Sequence, residues 1–392
     1  MLKKRIIIIM TIISLCLYYS GLNQVIIVYS KNMEKQKNYI VCTKSEQQFH
    51  SIQKKYNETE DINQNNENLL EKNHMISLKL TTHEAETLED TPNINFVEED
   101  ANVKASSFRK NIWKDKSIHK KKTEKIKKTK RETEWNLQMI HADKIKRNNK
   151  ENKIKIAILD SGVDFGSDID IDPFHTISLI PGEEEMSPLF MDGTGHGNSV
   201  AGLIAAKDNN EGITGVNPNA EIYSIRVLDD NNSSPISRVI EGIYMAIEAD
   251  VNIINMSFGM DTYSAALEQA VRDAKKAGIL VIASTGNTSN KCVQYPAAFD
   301  EVMAVGSVDK NGDLAKSSAV GEQLEIVAPG ELVRSTGIFE DELVASGTSL
   351  ATPQVAAAAS LIWEKDPSVS ADFVRDLLKI AMANKKNMVM VF

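Results

Sequence analysis

The sequence predicts an α/β fold, a doubly wound parallel sheet preceded by a small α+β domain. Two observations carry that expectation. From Trp135 onward, short β-branched apolar runs alternate with stretches of helical length and composition. The runs lack the polar alternation of half-exposed strands, so they read as strands covered on both faces, joined by helical crossovers. With 392 residues, 42% of them apolar, the chain can build more than one core.

At the amino terminus, Lys3, Lys4 and Arg5 precede an apolar run over 6–17, and no charge follows until after Ser30. That pattern predicts an export signal over residues 1–30 with small residues at Ser20 and Ser30 as cleavage points, or, left uncut, a membrane anchor. Residues 37–103 carry strand-like runs at 38–43, 74–80 and 94–98, a helical rhythm over 83–90, and a polar loop over 57–68. Together they predict one compact β-α-β unit. Residues 104–133 are Lys-rich and too charged to pack, which predicts a solvated, protease-sensitive linker. Beyond it, strands are expected at 154–159, 221–227, 251–256, 279–283, 302–305 and 324–328, and helices at 199–206, 239–249, 265–277 and 352–364.

Charge and cysteine content exclude several functions. Residues 1–150 hold 28 Lys+Arg against 19 Asp+Glu, whereas the remainder holds 17 against 35. So acidic a second half does not suit nucleic acid. Cys16, Cys42 and Cys292 make neither a disulfide framework nor a zinc site.

In parallel sheets, chemistry belongs at the carboxyl ends of strands. Asp160 ends the run 154–159 and is followed by Ser161-Gly162. His196 lies in Asp192-Gly193-Thr194-Gly195-His196-Gly197, and Ser349 in Ser346-Gly347-Thr348-Ser349, ahead of an alanine-rich helix. A serine hydroxyl needs a base to act as a nucleophile at neutral pH, and imidazole titrates in the right range. The base in turn needs a carboxylate to fix its tautomer. Taken singly, the three read as a cap, a loop histidine and a helix N-cap; together they read as an acid, a base and a nucleophile.

On these residues the chain resembles the subtilisin-like serine proteases. The matching segments are Ala157 to Asp164, Gly195 to Gly202 and Gly347 to Pro353, in family order across roughly 250 residues. The resemblance implies the subtilisin type of doubly wound fold over residues 134–392 and endopeptidase chemistry with Asp160, His196 and Ser349 as triad. In Ala283-Ser284-Thr285-Gly286-Asn287 it implies Asn287 as oxyanion donor. It further implies substrate pairing along Ser257-Phe258-Gly259, with an opposite rim at 228–234, and a polar P1 pocket of Thr288, Lys291 and Gln294 in which Lys291 favours an acidic side chain.

Residues 37–103 resemble the inhibitor-I9-type propeptide, which assists folding and then blocks the cleft with its last strand; processing is expected within 97–109. Calcium is the implied cofactor, held by Asp168, Asn209 and the carbonyls of Lys207 and Ile213. A monomer acting on peptide or protein substrates is expected, with its own propeptide as intramolecular inhibitor. The short catalytic domain and polar P1 pocket resemble the lantibiotic leader-removing subtilases; a degradative exoprotease and a non-catalytic binding protein are the alternatives. Two features depart from the family. Asn198-Ser199 stands where many members have Thr-His, and no closing glycine-containing strand is evident in 384–392, so a truncated carboxyl-terminal edge is expected.

Overall fold

The computed structural model describes residues 35–56, 69–105, 134–145, 153–164, 166, 168–183, 192–209, 212–289, 292–338 and 342–383. The export signal, most of the Lys-rich stretch, Lys291 and the carboxyl-terminal residues 384–392 lie outside these. Among the described residues no helix is long and apolar enough to cross a membrane. The chain divides into two compact units, with the main boundary at Asp100/Ala101 and Leu69 and Leu70 grouped with the larger unit.

In the smaller unit β1 (Lys37–Thr43) is the central strand, flanked by antiparallel β2 (Met75–Leu80) and β3 (Ile94–Glu99). Helices α1 (Glu46–Tyr56) and α2 (Thr82–Glu89) supply its other layer. Their core holds Val41, Phe49, Ile52, Leu78 and Leu88. Thr81 starts α2 with a reciprocal cap: its side chain accepts from the Glu84 amide, and the Glu84 carboxylate accepts from the Thr81 amide. The sequence reading had no helix at α1, because Phe49 and Ile52 are its only buried residues and make too short a stripe to register.

The larger unit opens with β4 (Asn102–Ala105) and α3 (Trp135–Met139). Its main sheet is formed by β5 (Lys155–Asp160), β6 (Ile171–Ser178), β7 (Glu221–Arg226), β9 (Ile253–Met256), β11 (Leu280–Ser284), β12 (Met303–Val308) and β13 (Leu324–Pro329). Their spatial order is β13-β12-β11-β9-β5-β7-β6, and every neighbouring pair is parallel. Helices are α4 (His196–Ala205), α5 (Ile236–Glu248), α6 (Ala265–Lys276), α7 (Thr348–Lys365) and α8 (Ala371–Ala383).

Strand β5 shows why both faces are apolar. Ile156 and Ile158 share a core with Val200 and Ile204 of α4 and with Ala351 and Val355 of α7. Leu159 points the other way, toward Gly242 of α5. The sheet is therefore covered on both sides, as the uninterrupted apolar runs required.

The larger unit also holds elements that the sequence reading did not contain. Edge strand β6, with sequence IDPFHTIS, carries polar residues and a proline that an edge tolerates and a central strand does not. Helix α8 was not expected either. Helices α4 and α7 also begin earlier than expected, at His196 rather than residue 199 and at Thr348 rather than residue 352. Side chains from elsewhere hold those first turns: Asp192 accepts from the Asn198 amide, and Asn287 accepts from the Thr348 amide.

A second, antiparallel sheet has β4 as its middle strand, between β8 (Ser233–Pro235) and β10 (Phe258–Gly259). Lys104 faces Gly259 and Ala105 faces Phe258 across one edge; Val103 faces Ser234 across the other and is fully buried.

Candidate active site

The fold brings the sequence-predicted residues to the carboxyl edge of the sheet. Asp160 is the last residue of central β5, and His196 is the first residue of α4, after Gly195 in the left-handed region at φ +82°. The Asp160 Oδ1 lies 2.6 Å from His196 Nδ1, and both side chains are almost wholly buried. The Ser161 amide donates to the same carboxylate oxygen at 2.7 Å, fixing it toward the ring. Ser349 is the second residue of α7, inside the first turn, where backbone N–H groups have no intrahelical partner. Its buried Oγ has no hydrogen-bond partner among the described residues.

Asn287 follows β11 and reaches α7 from the side. Its Oδ1 accepts from the Thr348 amide at 2.9 Å and from the Thr348 hydroxyl at 3.2 Å. Nδ2 and the Ser349 hydroxyl then border the same space: a side chain on Gly347 would stand 2.9 Å from Asn287 Nδ2 and 3.1 Å from Ser349 Oγ. Ser257, between β9 and β10, donates its hydroxyl to the Ser349 carbonyl at 3.1 Å and accepts from Asn255 Nδ2 at 3.0 Å, tying the strand edge to the helix start.

The sequence reading missed a second buried aspartate. Asp192 Oδ1 accepts from the amides of Thr194 and Gly195 and from the Ser161 hydroxyl, each at 2.9 Å, while Oδ2 accepts from the Asn198 amide at 2.8 Å. A carboxylate just ahead of a helical run is the signal that could have found it. Burial pushes the Asp192 carboxyl up, against the hydrogen bonds that favour its charge. Burial alone would lower the His196 pKa; the charge and hydrogen bond of Asp160, with the charge of Asp192, override it and leave His196 above its ordinary 6.5.

Arg226, at the end of β7 opposite Asp160, was also missed. Its buried guanidinium donates to the Ser161 carbonyl, to Glu183 at 2.8 Å and to Asp230 at 2.9 Å. A lone arginine in an apolar strand run was its signal, since a buried charge requires partners.

The expected binding residues are distributed around this centre. Phe258 is fully buried and Gly259 is on the β10 edge that receives β4. Thr288 is half-buried next to Asn287, and Gln294 is pinned by its amide to the Thr285 carbonyl at 3.0 Å. The four residues named for calcium are on two neighbouring loops. The Lys207 amide donates to the Asp168 carbonyl at 2.8 Å, Asn209 Nδ2 lies 3.2 Å from Asp168 Oδ1, and Ile213 is buried. The Lys207 ammonium pairs with Asp170 at 2.5 Å.

A carboxylate held to an imidazole, a buried serine at a helix start and an amide donor beside it, all at the carboxyl edge of a doubly wound sheet, define a serine hydrolase. The chain belongs to the subtilase family, whose peptidase S8 model matches residues 151–390, and it is a serine endopeptidase. It is similar to the alkaline protease of Alkalihalobacillus alcalophilus, 35% identical over 306 residues, covering 78% of this chain and 73% of that protein. It is also similar to subtilisin DY of Bacillus licheniformis, 40% identical over 255 residues, 64% of this chain and 91% of that one. The thermostable alkaline protease of Halalkalibacterium halodurans is 34% identical over 344 residues, 87% of this chain and 85% of its own length.

Proposed function

We propose that the chain is an exported zymogen whose Ser349 attacks the carbonyl of an extended peptide. His196 Nε2 takes the hydroxyl proton, and Asp160 holds the ring and stabilises the imidazolium. The oxyanion receives Asn287 Nδ2 and the Ser349 amide. His196 then gives its proton to the leaving amine, and water, deprotonated by His196, hydrolyses the ester on Ser349. The observation that carries this reading is the 2.6 Å contact between His196 and Asp160, made at the same carboxyl edge of the sheet to which Asn287 ties the start of α7. Labelling by a fluorophosphonate tests it: one adduct on Ser349 is expected, and none in a Ser349→Ala chain. An unlabelled, folded chain from which residues 35–105 have been removed would leave the non-catalytic binding protein as the reading.

Strand β4 supports the zymogen part. It occupies a two-sided antiparallel slot of the kind an extended substrate takes, so residues 102–105 act as the inhibitory strand and processing follows within 97–109. Amino-terminal sequencing of the secreted mature enzyme checks this and the export signal together. Calcium is proposed on the Asp168, Asn209, Lys207 and Ile213 oxygens, one carboxylate, one amide and two carbonyls, a hard-donor set suited to that ion. It would brace the two loops and take no part in bond cleavage. We place the leader of a lantibiotic precursor ahead of bulk protein as substrate, on the polar P1 slot; comparing cleavage of such a precursor with casein decides between them.

A further inference from the structure

Resting on the endopeptidase reading, the geometry points to Gln294 as the residue that closes the P1 slot, making this an enzyme for peptides with small side chains, glycine, alanine or serine, at the scissile carbonyl. The slot has two glycine walls. Gly259 lies on β10, the edge that receives an extended strand, and Gly286 immediately precedes Asn287. A substrate carbonyl presented to Ser349 Oγ and Asn287 Nδ2 sends its side chain between those two backbones. Glutamine already occupies that space: a side chain on Gly286 would overlap Gln294 Oε1, and one on Gly259 would stand 2.9 Å from both Gln294 Cβ and Oε1.

The glutamine is held there from three directions. Its amide donates to the Thr285 carbonyl at 3.0 Å, the flanking Tyr295 exchanges two 2.9 Å backbone hydrogen bonds with Met260, and Nε2 donates to Asp261 Oδ1 at 2.8 Å. Because a carboxylate only accepts, the nitrogen must face Asp261 and Oε1 must face the glycines. A large P1 side chain would have to expel the carboxamide and break its bond to Asp261, whereas a methyl or hydroxymethyl group stops short of it. Small residues, Ala105, Ser106 and Ser107, stand within the 97–109 stretch where processing is proposed. An acidic P1 preference through Lys291 is not needed for this discrimination.

The test is kcat/KM on peptides differing only at P1 (Ala, Ser, Leu, Phe, Glu), with rates normalised to fluorophosphonate-titrated active sites. Alanine and serine should exceed phenylalanine by about tenfold or more. Gln294→Gly should reverse that order, chiefly through KM, and Gln294→Ala should relax it part of the way. Wild-type enzyme that cleaves the Phe or Glu peptide as well as the Ala peptide, or a Gln294→Gly enzyme with unchanged ratios, overturns the proposal. Absence of both labelling and cleavage would instead sink the endopeptidase reading beneath it.

Discussion

Two buried aspartates act on one imidazole, Asp160 by contact and charge and Asp192 by charge. Asp160 bonds to the ring, while Asp192 holds the loop and helix start from which the ring projects, and Ser161 touches both carboxylates. A raised His196 pKa places the acidic limb of kcat/KM above 6.5, because only the neutral ring can take the serine proton. The same raised value makes protonated His196 a stabilising group whose contribution is complete below 6.5 and is lost as pH rises through the folded-state value. Asp192→Asn removes a charge that raises His196 but keeps the shape, so the acidic limb should move to lower pH. The variant also loses an acceptor for buried amides, costing about 1–3 kcal/mol in a denaturant melt. An unmoved limb would show that Asp192 merely braces the loop. Asn287→Ala should lower kcat by about 10²–10³ with KM little changed, a magnitude that comes from subtilisin itself.

Elements explain why some of this was legible in sequence. Asp160, His196 and Ser349 each sit at a seam between a periodic run and a small-residue turn, and both run and turn are local signals. Several of their supports are not local: Arg226 works through Glu183, Asn287 through Thr348, and Ser161 reaches Asp192 from outside that aspartate's loop. Their partners are set by tertiary placement, which no short window contains. Edge strand β6 was illegible for the opposite reason, having too little apolar sequence to stand out. β5 carries Asp160 at its end and is buried on both faces, so Ile158→Ala should cost about 2–5 kcal/mol in unfolding and also reduce kcat by displacing the acid. Equal loss of stability from Ile282→Ala in β11, with Asp160 undisturbed, should leave kcat closer to wild type.

At the scale of the molecule, the sheet order sets the folding problem. Central β5 pairs with β9, Ile156 meeting Ile253 and Leu159 meeting Met256, so neighbours in the sheet are about a hundred residues apart in the chain. Loops of that length close before any pairing compensates the lost entropy, and parallel topologies of high contact order fold slowly. The smaller unit has the opposite character. Its strands β1, β2 and β3 are antiparallel and lie within residues 37–99, with local helices and its own core, so it forms early. Ser349→Ala chains, which cannot digest themselves, separate the two effects. After dilution from guanidinium, the chain including residues 35–105 should regain native fluorescence at least about tenfold faster than one starting at residue 134. Adding the missing segment as a separate polypeptide should restore part of that rate, saturably with its concentration. Equal refolding rates with and without residues 35–105 would mean that the large sheet finds its order unaided.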